Sequence, residues 1–453
     1  MRLRTNSRST QIGNVEIHDL FHVLELEGGY PIDEDQHPHP RSNTFNKAKN
    51  SENVSFSTSS LYDIESQLAI IVPCMNEEQH IIEGVLRGIP HHCLVVLVSN
   101  SSHAKFEEEL ELLKQLCDDT QRQGIVIHQQ NEALALAFCA AGMPEVVEQT
   151  VTPQRIRNGK GEAMIIGVLI AKLAGKQFVG FVDADNLIPG SVHEYCKVFA
   201  SGLKFSLQNL YADHSTQAPP VMPKSHAMVR IKWNSKPKVV NNKILFPKTG
   251  RSSRVVNEWM NKFLQAIHGR EACEEAIQTA NAGEHAIDIH LALKLRFATG
   301  YAVEPFQYID ILENFGHIPP CGYGRTQGDD GKDNVAKGAS EDDAIGECSS
   351  DETKVRILQV RTCNPHFHDT GKGEGHIERM ITQGLSTIYQ SRLAPQTLKD
   401  DLYKITPTVN GYIRIQQDLL VYPSMRKIDL EVFRRKTAPQ IKTFNCSLGE
   451  TSL

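Results

Sequence analysis

Two aspartates one residue apart, Asp183 and Asp185 in the run VDAD, follow directly on an apolar stretch at 178–182. A strand that ends in such a pair carries both carboxylates to the edge of its sheet, where they can hold a divalent cation that grips a diphosphate. A helix cap at Asp183 and a solvated Asp185 are the competing roles, and an isolated D-x-D leaves them open. Upstream, IVPCMNEE at 71–78 sets Pro73, Asn76 and Glu77 at the end of another apolar run. An amide and a carboxylate there can hydrogen-bond a base and a ribose, with an N-cap as the other role for Asn76. Ser99, Asn100 and Ser101 close a third run, LVVLV at 94–98. Polar groups at three neighbouring strand ends exceed what capping alone requires.

Three further segments carry charge or ligating groups. RNGKGEA at 157–163 sets glycines and Lys160 just before an apolar helix. Free backbone N–H groups can approach an anion there while the ammonium supplies charge; a solvated basic turn is the alternative. The spacing of a P-loop is absent. TGRSSR at 249–254 opens a strongly amphipathic segment. Gly250, Arg251 and Ser252 at a helix N-terminus form a receptor for a phosphate or carboxylate, or else Ser252 merely caps the helix. NPHFHDTGKGEGH at 364–376 brings His366, His368 and His376 close together after a strand. Histidines two apart on an extended segment can point the same way and complete a metal site begun elsewhere.

These residues need a frame. Apolar runs at 68–72, 94–98, 125–127 and 178–182 alternate with helical spacing at Ile81, Ile82, Val85, Leu86 and Ile89, at Phe106, Leu110, Leu113 and Leu116, and over 163–174. Strands alternating with helices predict an α/β fold: a mostly parallel sheet with helices on both faces and ligands at the carboxyl ends of the strands. Beyond Asp185 the pattern predicts a strand pair at 226–233 and 239–246, a helix over 255–267, another over 284–297 and a strand at 355–360. The chain up to about residue 64 reads as an arm and linker, and residues 325–354, rich in Asp, Gly and Ser, as a disordered insertion. The expected division is an arm and linker at 1–66, an α/β core at 67–205, a further part at 206–324, the insertion at 325–354, and a smaller C-terminal region at 355–453.

Composition excludes several classes. The 453 residues carry 48 Lys and Arg against 54 Asp and Glu, a net charge of -6 without a basic cluster, which argues against a nucleic-acid partner. No apolar run approaches the ~20 residues needed to cross a bilayer, and MRLRTNSRSTQIGN lacks a hydrophobic signal core. Ten cysteines, scattered singly, suit a reducing compartment. A soluble cytoplasmic protein with no membrane partner is expected, and a homodimer is compatible with the sequence.

Taken together, NVEIHDLFHVLELEGG, IVPCMNEE, RNGKGEA, FVDADN, MVRIKW, GRSSRVVNEW, NAGEHA at 281–286, GYAVEP at 300–305 and NPHFH resemble the mannosyl-3-phosphoglycerate synthase family of retaining glycosyltransferases. The resemblance implies a GT-A-like nucleotide-sugar-binding sheet, GDP-mannose as donor, 3-phosphoglycerate as acceptor and a divalent metal, Mg2+ or Mn2+. By position it implies Pro73, Asn76, Glu77, Ser99, Asn100, Lys160 and Asp183 at the donor, and Gly250, Arg251 and Ser252 at the acceptor phosphate. It also implies Asp185 with His366 or His368 at the metal, and Glu304 beneath the sugar and the acceptor hydroxyl. Asp185, Lys160 and Glu304 are the candidate catalytic groups. A nucleotide-glucose donor, a metal-dependent hydrolase built on the histidines, and a silent nucleotide-sugar-binding protein are the alternatives. Intact VDAD, GKGEA and NPHFH argue against silence.

Overall fold

The computed structural model describes residues 1–27, 53–208, 225–240, 243–248, 250–269, 275–316, 353–368, 374–404, 415 and 418–449. Most of the expected insertion and of the polar stretch before residue 53 lie outside these residues.

The apolar runs form strands Leu68–Cys74, Leu94–Ser99, Gly124–His128 and Phe178–Phe181, buried along nearly their whole length. All pair in parallel: Leu68–Cys74 lies between Leu94–Ser99 and Phe178–Phe181, and Gly124–His128 pairs outside Leu94–Ser99. Side-chain alternation splits their apolar groups between two cores. Ala69, Ile71, Val96 and Val98 pack with helix Lys160–Leu173 on one face. Leu68, Ile70, Val72 and Val95 pack with helices Gln79–Gly88 and Pro189–Gln208 on the other. Gly167 allows the first of these contacts to be close, because a Cβ there would stand 2.5 Å from Ile71 Cγ2. The expected α/β architecture with helices on both faces is therefore present.

The sheet continues well past this parallel part and counts 13 strands among the described residues. His285–Asp288 pairs antiparallel with Phe178–Phe181 on one side and with Ser225–Lys232 on the other. Ser225–Lys232 then pairs in parallel with Lys354–Arg361.

Three sequence expectations change here. The strand at 226–233 does not pair with the one after it. It sits deep in the main sheet, buried at Val229 and Ile231 on one side and Met228 and Arg230 on the other, while Lys238–Val240 and Lys243–Leu245 form a separate hairpin. The helix expected over 284–297 is strand His285–Asp288, a short helix Ile289–Lys294 and strand Phe297–Ala298. Asp288 starts that helix by accepting from Leu291 N–H at 2.9 Å, and pairing on both edges overrides the helical spacing of the residues before it. The N-terminal residues, expected as an arm, supply strands Arg2–Arg4, Ser9–Ile12, Val15–His18 and Phe21–Glu25 to the same sheet. Val15–His18 and Phe21–Glu25 both pair in parallel with Lys354–Arg361, a partner invisible to any local window.

Among the described residues no helix is long and apolar enough to cross a membrane. The described cysteines are all free.

Candidate active site

Two cavities open at the carboxyl ends of the parallel strands, and both are lined by Lys160, Asp183, Asp185 and Tyr301. The first continues along Pro73, Met75, Glu77, Asn100, Gln129 and Asn158. The second continues along Trp233, Lys236, Gly250, Arg251, Ser252, Glu304, His366, His368 and His376. Segments as far apart in sequence as Pro73 and His376 thus meet over one row of charged groups.

At that row, Lys160 starts helix Lys160–Leu173. Its Nζ lies 2.5 Å from Asp183 Oδ1 and 2.8 Å from Glu304 Oε1. Burial opposes its charge, but Asp183 and Glu304 outweigh burial and hold the ammonium well above the usual lysine range. Gly283 makes room for the pair, since a Cβ there would stand 2.6 Å from Asp183 Oδ2 and 2.8 Å from Lys160 Nζ. The two aspartates of VDAD therefore divide: Asp183 binds the lysine, and Asp185 lines the cavities alongside the histidines.

The first cavity is framed by strand ends tied to one another. Met75 N–H donates to Glu77 Oε2 at 2.5 Å. Asn100 Nδ2 donates to Asn158 Oδ1 at 2.5 Å, joining the second strand end to the loop before Lys160. Asn76 and Ser99, expected at the donor, line neither cavity. Asn76 takes a left-handed backbone, φ 62°, and fastens the neighbouring strand end: its N–H donates to Ser101 Oγ at 2.8 Å and its Oδ1 accepts from Ser102 N–H at 2.9 Å. It is not a helix cap either, because Glu78 holds that position. Ser99 is fully buried, and its Oγ accepts from Ser101 N–H.

Several residues that hold the site together were not among the sequence candidates. Gln129 Nε2 donates to Arg157 O at 2.8 Å and Gly159 O at 3.2 Å, which fixes the glycine loop. Glu162 is fully buried and accepts from Thr299 Oγ1 and Tyr422 OH, both at 2.5 Å, so the segment carrying Tyr301 and Glu304 is tied to the helix carrying Lys160. Arg230, also fully buried, donates to the backbone carbonyls of Thr279, Ala280 and Glu304 at 3.1, 3.0 and 3.2 Å. Glu162 lies within RNGKGEA and Arg230 within MVRIKW, but neither run marks its residue as a buried tie, and Gln129 stands in none of the motifs.

In the second cavity, helix Arg251–His268 begins with Gly250 as N-cap and no side-chain cap hydrogen bond. The serine-cap alternative for Ser252 is thereby replaced by a helix N-terminus whose first N–H groups border a cavity. Lys236 Nζ lies 3.6 Å from the centre of the Trp233 ring, next to Gly250.

The histidine segment reaches Asp185 through the backbone. Leu187 N–H donates to Phe367 O at 2.7 Å and Asn186 bridges His368, so VDADN and NPHFH run side by side. His366 is 2 % exposed, its ring 5.3 Å from that of His368. His376 stands edge-on to Tyr301 at 4.9 Å. Among the described residues no three His, Cys, Asp or Glu side chains already converge as a complete metal shell. Asp185 and one imidazole nevertheless make a donor set that fits Mg2+ or Mn2+ when phosphate oxygens and water supply the remaining positions. Glu284, behind His366, is fully buried; burial first, then the charge of Asp183, push its carboxyl up to about 8 against the pull of Lys160 and Lys236. Additional positive charge beside it favours its ionised form.

The family described as mannosyl-3-phosphoglycerate synthase (osmo_MPGsynth) matches residues 5–437. A mannosyl-3-phosphoglycerate synthase of Pyrococcus furiosus is 36% identical over 343 residues, 75% of each chain. One of Aeropyrum pernix is 29% identical over 402 residues, 88% of each chain. Among solved structures, glucosyl-3-phosphoglycerate synthase from Mycobacterium tuberculosis in complex with Mn2+, UDP-glucose and phosphoglyceric acid is 16% identical, with a TM-score of 0.43 over 82% of this chain and 95% of that one.

Proposed function

The chain belongs to the mannosyl-3-phosphoglycerate synthase family, and on that premise we propose that it transfers mannose from GDP-mannose to the 2-hydroxyl of 3-phosphoglycerate, with retention and with a divalent metal. The observation that carries this reading is the junction of two cavities at Lys160, Asp183 and Asp185. A two-substrate transfer needs such a junction, with one substrate in each cavity and the reacting atoms where they meet.

In this reading the donor nucleotide occupies the Pro73, Glu77 and Asn100 cavity. The acceptor phosphate sits at Gly250, Arg251 and Ser252, where helix N–H groups and a guanidinium favour an anion. Asp185 with His366 or His368 would hold Mg2+ or Mn2+, which when bound supplies positive charge to the diphosphate. Lys160 holds its ammonium at the junction, where negative charge builds as the sugar leaves. Glu304, ion-paired to Lys160 and nearly buried, orients the acceptor hydroxyl. In this reading 67–205 supplies most of the donor cavity and the metal carboxylate Asp185, 206–324 supplies Gly250, Arg251, Ser252 and Glu304 for the acceptor, and 355–453 supplies the histidines for the metal.

Arg251 tests the acceptor assignment. Arg251→Ala is expected to raise the acceptor KM ~10-fold or more, the scale of a lost charge-assisted hydrogen bond, with GDP-mannose binding almost unchanged. Arg251→Lys recovers part of the loss, because a point charge does not reproduce the guanidinium fork. Steady-state kinetics with each substrate varied in turn give the answer. Equal weakening of both substrates, or no kinetic change, moves the acceptor elsewhere.

A further inference from the structure

Behind His366 lies a carboxylate that the proposed transfer does not itself use. Glu284 Oε2 accepts from Trp233 Nε1–H at 2.9 Å, while Oε1 accepts no hydrogen bond and stands 3.6 Å from His366 Nδ1. The Trp233 ring stacks on His366, with centroids 4.5 Å apart and planes 21° apart, so the imidazole is held flat against the same residue that anchors Glu284. Two other groups approach Nδ1: Tyr195 OH at 3.2 Å and Asn186 Nδ2 at 3.4 Å. Asn186 Oδ1 accepts from Ile188 N–H at 3.0 Å, which turns the amide NH2 toward His366. That NH2 can only donate, and it favours a bare Nδ1 with the proton on Nε2.

An imidazole that binds a metal through Nε2 needs the opposite tautomer, with its proton on Nδ1 and an acceptor to receive it. Of the three groups around Nδ1, the carboxylate is the one with no other demand on the facing atom. We propose that Glu284 is a positioning residue for the metal site: Oε1 accepts the Nδ1 proton of His366 and thereby leaves Nε2 as the ligating nitrogen. The inference rests on the reading of His366 as a metal ligand.

The chemistry explains why a carboxylate, and not an amide, stands there. In the proposed tautomer Trp233 Nε1–H and His366 Nδ1–H are both donors, and an ionised Glu284 accepts on both oxygens. In Glu284→Gln, the amide oxygen faces Trp233 and the NH2 faces Nδ1, which forces the His366 proton onto Nε2. Removing the indole donor as well frees the amide to turn its oxygen toward His366.

The test is Mn2+ binding at saturating GDP, read as free Mn2+ by electron paramagnetic resonance, with GDP affinity in the absence of metal and thermal unfolding as controls. Glu284→Gln is expected to weaken Mn2+ binding ~10–100-fold, the usual scale for a lost outer partner of a ligating histidine, with metal-free GDP affinity and unfolding temperature near those of the parent. The double variant Glu284→Gln, Trp233→Phe should return to within a few-fold of the parent, a rescue that a merely structural role would not give. Parent-like Mn2+ affinity in Glu284→Gln, or a double variant as weak as the single one, overturns the proposal. His366→Ala separates the two readings: if it binds Mn2+ as the parent does, His366 is not the ligand, His368 remains for the metal, and the proposal for Glu284 falls. Should Glu284→Gln not fold, imidazole 15N resonances of the parent protein loaded with Mg2+ and GDP decide the matter. A His366 proton on Nδ1 is expected, and one on Nε2 overturns the inference.

Discussion

Asp185→Ala is expected to lower turnover ~10²–10³-fold at saturating donor, acceptor and Mg2+, with little change in unfolding temperature. Asp185 stands where the two cavities join, beside His366 and His368, and is 8 % exposed. Its carboxylate is the hard, charged member of the proposed donor set, and an imidazole alone binds Mg2+ poorly. In the proposed transfer, loss of this carboxylate leaves negative charge on the departing diphosphate to develop in a partly desolvated cleft without the metal anchor. The backbone pairing of VDADN with NPHFH does not pass through this side chain, so the fold should survive the change. Single-turnover rates at increasing Mg2+ and Mn2+ measure the effect. Activity within a few-fold of the parent would remove Asp185 from the metal site.

A second large effect is expected at Lys160. Lys160→Met deletes a cation held 2.5 Å from Asp183 and 2.8 Å from Glu304 and leaves those two carboxylates facing one another. Breaking a nearly buried ion pair by removing one partner costs on the order of 3–5 kcal/mol, and Glu304 is the more buried of the two carboxylates left behind. Both stability in urea and turnover should therefore fall, in contrast to Asp185→Ala, where turnover falls alone. Lys160→Arg should regain stability more than turnover, because the guanidinium keeps the charge but not the position of a single Nζ. A Lys160→Met protein as stable as the parent would show that the lysine is not the charge that holds this junction together.

The parallel half of the sheet was legible because its information is local. Runs such as 68–72 and 94–98 are apolar throughout, as strands covered on both faces must be, and each ends in polar residues that mark the ligand edge. The helix Arg251–His268 announced itself by its apolar stripe in the same way. What failed to show was whatever depended on a distant partner. Ser225–Lys232, Val15–His18 and Phe21–Glu25 all pair with Lys354–Arg361, far away in sequence. The 284–297 segment has helical spacing, yet edge pairing on both sides makes its first part a strand.

The candidate site divides along the same line. Lys160, Asp183, Asp185, Arg251 and His366 stand in short runs whose composition already suggests anion or metal binding, and they do line the two cavities. Asn76 and Ser99 have the same sequence context but line neither cavity: Asn76 fastens the neighbouring strand end through Ser101 and Ser102, and Ser99 Oγ accepts from Ser101 N–H within its own. Trp233, Gln129 and Glu284 gain their importance from tertiary neighbours alone. Glu284 lies inside NAGEHA, but nothing in that run says that an indole and an imidazole will stand on its two oxygens.

A metal-dependent transfer between two substrates needs both at once. The most direct test incubates the purified protein with GDP-mannose and Mg2+, with and without 3-phosphoglycerate, and follows GDP release together with the anionic sugar product. For the proposed transfer, GDP release is expected to depend on acceptor, to equal product formed, to stop with chelator and return with Mg2+ or Mn2+, and transfer is expected to be slower with UDP-glucose as donor. GDP release that ignores 3-phosphoglycerate, with free mannose as the product, would contradict it.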